Sequence, residues 1–223
     1  KMSFATSMGA CCSSLTNLQI PSSVISIGDF AFYGCTILQN ISIPFSIKSI
    51  GMSCFDNCKF ISMSHQSKMN SFSIYQKSSN HLIIANKIAR IDNCFSNFML
   101  RIKQISLFPS VVYISRNAFR NCSKLQTVLI QSYIKLIGKN AFNGCSALSQ
   151  INIPSSITEI EEYAFKGCIS LTQITIPPLI TSIRRFTFNK CIKLTQILLP
   201  PSITSIESGA FEECLALQQI TIP

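Results

Sequence analysis

The 223-residue chain has no tryptophan, two histidines, and nine acidic side chains against nineteen basic ones. Its apolar runs all fall well short of the ~18 residues a membrane-spanning helix needs, so a helical span is excluded. With only His65 and His81 available, a metal centre or a histidine-dependent catalytic set has little to draw on. The chain also lacks a phosphate-binding glycine loop, a G-x-S-x-G elbow and an H-E-x-x-H pair. Its densest carboxylates, Glu159, Glu161 and Glu162, flank Ile160 as a solvated edge would. The reading is a protein that is no enzyme and holds no cofactor and no metal. Disorder is excluded too, because 47% of residues are apolar and only 13% are charged.

What the chain does have is a clock. Cys12, Cys35 and Cys58 are spaced by 23 residues, as are Cys122, Cys145, Cys168, Cys191 and Cys214. Phenylalanine precedes the cysteine by three at Phe32, Phe55, Phe119, Phe142, Phe165, Phe188 and Phe211. Leucine follows it by three, for example at Leu125, Leu148, Leu171 and Leu194, and an I-x-I-P run comes next. The unit, roughly A-F-x-x-C-x-x-L-x-x-I-x-I-P-x-x-I-x-x-I, marks a solenoid, in which no coil buries its apolar face alone. L-x-x-I-x-I reads as one short strand per coil, proline ends its pairing, and Ala-Phe-x-x-Cys reads as a short helical turn. The expectation is an α+β or β-rich stack of about nine 23-residue coils forming one solenoid over 1–223, with regular coils at 1–58 and 105–223.

The rhythm breaks between Cys58 and Met99, which are 41 residues apart. Within 59–104, Ser71 to Tyr75 and His81 to Ala85 flank Gln-Lys-Ser-Ser-Asn. This predicts a β-hairpin insertion near 64–94, either a packing irregularity or a protrusion with a function.

The repeat resembles the BspA-like leucine-rich repeat family, with Ala141 to Ile160 (AFNGCSALSQINIPSSITEI) as its most specific stretch. That resemblance implies a leucine-rich repeat solenoid acting as a surface adhesion or partner-binding module. It supplies no catalytic residues.

In such solenoids the strand face is the usual contact surface. Its outward places fall at Asn40, Ser42, Gln104, Gln150, Asn152, Gln173, Thr175, Gln196 and Gln219, a polar, amide-rich and uncharged row. Two readings stay open: the glutamines stack as an amide ladder bonded to itself, or they offer donors and acceptors to a protein or glycan. Charge is concentrated elsewhere. Residues 57–158 carry twelve basic side chains and one acid, Asp92, while the remainder carries seven basic and eight acidic. Arg90, Arg101, Lys103, Arg116, Arg120, Lys124, Lys135 and Lys139 stand nearest one another. They are either a solvated surface or a patch for an acidic partner such as a sulfated glycan. Nucleic acid is disfavoured, because the basic residues are not interleaved with exposed aromatics.

The periodic cysteines read as buried reduced thiols, which favours a reducing compartment. No signal-peptide pattern opens the chain and no capping segment closes it, so it reads as a piece of a longer protein or one closed by a partner. The expected location is the cell surface or the exterior if the full gene carries a signal or anchor. The alternative is an intracellular scaffold in a larger, for example cytoskeletal, assembly.

Overall fold

The computed structural model of the chain describes residues 2–4, 11–38, 40–42, 44, 46–47, 49–51, 54–55, 57–58, 62–63, 73–76, 81–84, 90–91, 102–107, 109, 111–131 and 133–220. Each regular coil contributes two short strands, where the sequence suggests one. The first comes from the L-x-x-I-x-I run. Gln104–Leu107 pairs in parallel with Thr127–Ile130, which pairs with Gln150–Ile151, and Gln173–Thr175 pairs with Gln196–Leu198. The second comes from the I-x-x-I step, as in Tyr113–Ile114 with Leu136–Ile137 and Glu159–Ile160. Partners such as Gln104 and Thr127, or Tyr113 and Leu136, are 23 residues apart in sequence. One repeat is therefore one turn of a parallel β-solenoid.

No helix occurs among the described residues, and the Ala-Phe-x-x-Cys segment is a corner of tight turns instead. Two residues in each corner take a left-handed backbone, for example Asn117 and Asn121, Asn140 and Gly144, Tyr163 and Gly167, and Phe186 and Lys190. A left-handed residue every fourth position cannot continue a right-handed helix. The N–H groups so released point to the next coil: Asn117, Phe119 and Asn121 donate to the carbonyls of Lys139, Ala141 and Asn143. The corner is thus a third ladder of hydrogen bonds between coils.

Inside this frame the phenylalanines form a continuous stack. Phe119, Phe142, Phe165, Phe188 and Phe211 follow one another at 5.3, 5.4, 5.5 and 5.6 Å between ring centroids. Cysteine lies beside them and does more than fill space. The Sγ atoms of Cys145, Cys168, Cys191 and Cys214 donate to the carbonyls of Phe119, Phe142, Phe165 and Phe188 in the preceding coil, at 3.1, 3.3, 3.2 and 3.1 Å. In a dry layer this gives the carbonyl a second partner that an alanine would not supply.

Irregularities interrupt the repeat. Ser73–Gln76 pairs antiparallel with His81–Ile84, and His81–Ile84 then joins the parallel ladder in register with Gln104–Leu107. Arg90–Ile91 likewise joins Tyr113–Ile114. The regular period therefore resumes at His81, one coil earlier than the sequence suggests; the link 77–80 lies outside the described residues. Earlier, Ser62 rather than Met63 stands opposite Asn40, because that coil is one residue shorter. A further irregularity is a junction. Among the described residues no strand pairing joins Gln150–Ile151 to Gln173–Thr175, or Glu159–Ile160 to Ser182–Ile183. The corner ladder crosses the same junction unbroken, through Tyr163 to Arg185, Phe165 to Thr187 and Gly167 to Asn189.

Candidate functional site

The strand face is built by alternation. Val128, Ile174 and Ile197 point inward and are buried, so their neighbours Gln173, Thr175, Gln196 and Leu198 are exposed. Gln150 and Gln219 are exposed in the same row, and Gln104 is half-buried. Asn40 and Ser42 hold the equivalent places, in register with Asn17 and Gln19. Among the described residues no side-chain hydrogen bond links Gln150, Gln173, Gln196 and Gln219, so their amides are not engaged with each other.

Asn152 differs. Its Oδ1 accepts the Ile130 N–H at 3.2 Å and its Nδ2 donates to the Ile130 carbonyl at 3.3 Å, so the side chain stands in for backbone on the ladder. The strand stops at Ile151, just before the unpaired junction. A shallow groove of about 320 Å³ opens there, lined by Asn152, Gln173, Thr175 and Gln196, with Ile153 and Leu198 adding apolar surface. Leu198, 53% exposed, is the most exposed aliphatic in it.

The cations are not one cluster. Arg116, Arg120 and Lys124 are exposed on one corner. Lys103 lies beside the far end of that run, since the Gln126 N–H donates to its carbonyl at 2.7 Å. Lys135 lies at the near end, donating its own N–H to the Val112 carbonyl at 2.9 Å. Lys139 is in the coil above Arg116 but is engaged: its Nζ pairs with Glu162 and stands 5.6 Å from the Tyr163 ring. The Lys139 hydrogen bond holds the Glu162 carboxyl below its ordinary range. Arg90 occupies the second-strand column opposite Tyr113, and Arg101 lies outside the described residues.

Sequence reasoning missed several engaged groups. Tyr163 and Phe186 stack on the corner at 5.2 Å. Arg184 bridges Glu159 and Glu207 across three coils, at 3.4 and 3.1 Å. Hydroxyls of Ser156, Thr158, Thr195, Ser202 and Thr204 donate to backbone carbonyls of the preceding coil. The recurring Ser/Thr two to four residues after each proline was the available signal for most of them. Burial pushes the thiols of Cys145, Cys168 and Cys191 upward, so they stay protonated and poorly nucleophilic.

This is a corner-and-ladder solenoid with its side-chain chemistry on the outside. The BspA type leucine rich repeat region matches in six copies over residues 6–126 and 112–223, and the chain belongs to that family. A leucine rich cell surface protein of Faecalibacterium prausnitzii is 31% identical, with a TM-score of 0.61, over 88% of this chain and 56% of that one. The chain therefore spans little more than half of that protein's length. A leucine rich repeat protein of T. pallidum is 28% identical, with a TM-score of 0.52, over 68% of this chain and 69% of that one. A pneumococcal vaccine antigen, 16% identical over 88% of this chain and 55% of its own with a TM-score of 0.53, shares the fold. No curated protein matches the chain.

Proposed function

We propose that this chain is a non-catalytic, surface-displayed binding module that engages a protein partner across its strand face. The observation that carries the reading is the row of exposed glutamines, Gln150, Gln173, Gln196 and Gln219, whose amides make no hydrogen bond with one another. Uncharged donors and acceptors carry no charge to desolvate on binding, which offsets the cost of immobilising each side chain, about 0.5–1.5 kcal/mol. The groove beside Asn152 and Leu198 supplies an apolar point for a partner side chain. Surface display is supported by the F. prausnitzii neighbour, described as a cell surface protein.

Two measurements test this. An antibody to the chain is expected to stain intact cells of the organism that makes it; staining only after permeabilisation refutes surface display and leaves the intracellular scaffold. Where intact cells bind a host protein through this chain, Gln173→Lys with Gln196→Lys is expected to abolish that binding. Unchanged binding refutes the strand face as the contact.

A further inference from the structure

Along the corner the acids of the upper coils are answered coil by coil. Lys139 pairs with Glu162, Arg184 with Glu159 and Glu207, and Lys190 with Glu213. Every acid of the three corners from Glu159 to Glu213 except Glu161 and Glu212 is thus in an ion pair. Those two are also engaged, Glu161 with the Lys139 N–H and Glu212 with Asn189. The coil below has no such answer. Arg116, Arg120 and Lys124 follow one another along this corner, with Lys103 and Lys135 beside its two ends in the adjacent coils, all exposed. Among the described residues none of the five is in an ion pair. Neighbouring cations of one sign reinforce one another's field, and two guanidiniums add paired donors shaped for an oxyanion.

The surroundings decide which anion fits. From 115 to 128 no large apolar side chain is exposed, and the nearest exposed ones, Tyr113, Leu129 and Tyr133, lie beyond the ends of that stretch; the neighbours Asn121, Ser123 and Gln126 are polar and exposed. A tight protein contact is centred on an apolar or aromatic anchor, and a membrane surface holds a protein more firmly where apolar side chains insert beside the charges. The stretch from Arg116 to Lys124 offers neither. It offers charge and hydrogen bonds on an exposed corner, which suits a flexible, densely sulfated chain.

We propose that the corner built by Arg116, Arg120 and Lys124, flanked by Lys103 and Lys135, binds a sulfated polysaccharide. This surface is separate from the strand face and does not rest on the reading given above. The test measures heparin binding to the full chain at 0.15 M salt, against polyglutamate and vesicles of anionic phospholipid. Heparin is expected to bind in a salt-dependent way and to lead both other probes by at least tenfold. The triple variant Arg116→Gln, Arg120→Gln, Lys124→Gln is expected to weaken it about tenfold or more. Arg185→Gln with Lys193→Gln, which removes two exposed cations from another corner, is expected to leave it within twofold, as is Gln173→Ala with Gln196→Ala. A thermal melt of the triple variant matching the parent shows that the fold is kept. If Arg116→Lys with Arg120→Lys retains most binding while the triple variant loses it, charge at this corner is responsible. No heparin binding, equal loss in the two cation variants, or polyglutamate or vesicles binding as tightly as heparin overturns the proposal.

Discussion

Phe165→Ala is the perturbation that most directly tests how this solenoid is held together. Phe165 has no exposed surface and is sandwiched between Phe142 at 5.4 Å and Phe188 at 5.5 Å, nearly parallel to both. Truncating a buried phenylalanine costs about 3–5 kcal/mol, and each stacked pair is worth roughly 0.5–1.5 kcal/mol beyond its area. With two stacks lost and corner ladders on both sides resisting collapse, the cost belongs at the upper end of that range. Phe211 is the internal control: it is only partly buried and stacks on Phe188 at 5.6 Å. Its truncation is expected to cost about half as much or less. The assay is urea unfolding followed by far-ultraviolet circular dichroism. With a slope of about 1–3 kcal/mol per M, Phe165→Ala moves the main transition by about 1 M or more. Because coils contribute through neighbour interfaces, it also splits the curve into two phases, while Phe211→Ala trims one end. Equal losses at the two sites, or less than about 1 kcal/mol at Phe165, would falsify the continuous stack as the source of stability.

Four further outcomes follow from the same geometry. Gly138→Ala would bring a Cβ to 2.7 Å from the Arg116 nitrogen and the Ser115 carbonyl carbon, wedging two coils apart. Gly167→Ala meets only ordinary contacts at 3.7 Å and bears just its left-handed φ of 71°, worth about 1–2 kcal/mol; thermal melts should rank Gly138→Ala clearly lower. Arg184→Ala removes two ion pairs on half-exposed side chains and should shift stability by less than about 1 kcal/mol, checked by the same melts. For the thiols, burial raises the folded pKa above the unfolded value of about 8.5. Above that pH the unfolded state loses protons that the folded state keeps, so stability falls as pH rises, by up to about 1.4 kcal/mol per unit and thiol. The double variant Cys145→Ala, Cys168→Ala should show a visibly shallower decline between pH 9 and 10.5, and an identical slope would refute buried, protonated thiols. In native labelling, exposed Cys11 and Cys12 should react with iodoacetamide while Cys145, Cys168 and Cys191 do not.

The stack was legible because Phe, Cys and Leu recur on one period, and a period of 23 with no self-sufficient unit leaves stacking as the way to bury them. The second strand was hidden for a geometric reason. Leu136–Ile137 and Ser182–Ile183 are two residues long, too short to show alternation, so I-x-x-I read only as inward side chains. The corner was read as helical although Asn117, Asn121, Asn140 and Gly144 are residue types that favour left-handed backbone. Tyr163 and Phe186 in the same column obscured that signal, since bulky side chains rarely adopt it. Asn152 looked like its outward neighbours in the row; nothing in its spacing reveals that its amide replaces backbone. The basic band was visible as a sum, but pairing depends on which coil sits above which. Lys139 and Arg116 are equivalent in sequence and differ only in whether a glutamate occupies the next rung.

That last contrast indicates where specificity resides in a repeat of this kind. Inward places are held nearly constant by three simultaneous demands: a ring to continue the stack, a thiol to satisfy the carbonyl of the preceding phenylalanine, and leucine and isoleucine to fill the strand layer. A substitution there is felt by both neighbouring coils, so the interior has little room to encode a partner. Hydroxyls on the ladder are similarly bound, each to the carbonyl one coil back. What remains variable is the outward set, and information lies in its departures from the repeat. Three such departures stand out: Asn152 where other strands continue, Leu198 where Thr175 stands one coil earlier, and Arg120 with Lys124 where the next coil has Asn143 and Ala147. The first two fall on one face beside an unpaired junction, and the third makes a corner positive with no acid above it. On the proposed reading, two chemically distinct surfaces on one scaffold would let a protein and an anionic chain be held at once, and linked engagement of both would raise overall avidity without any new contact.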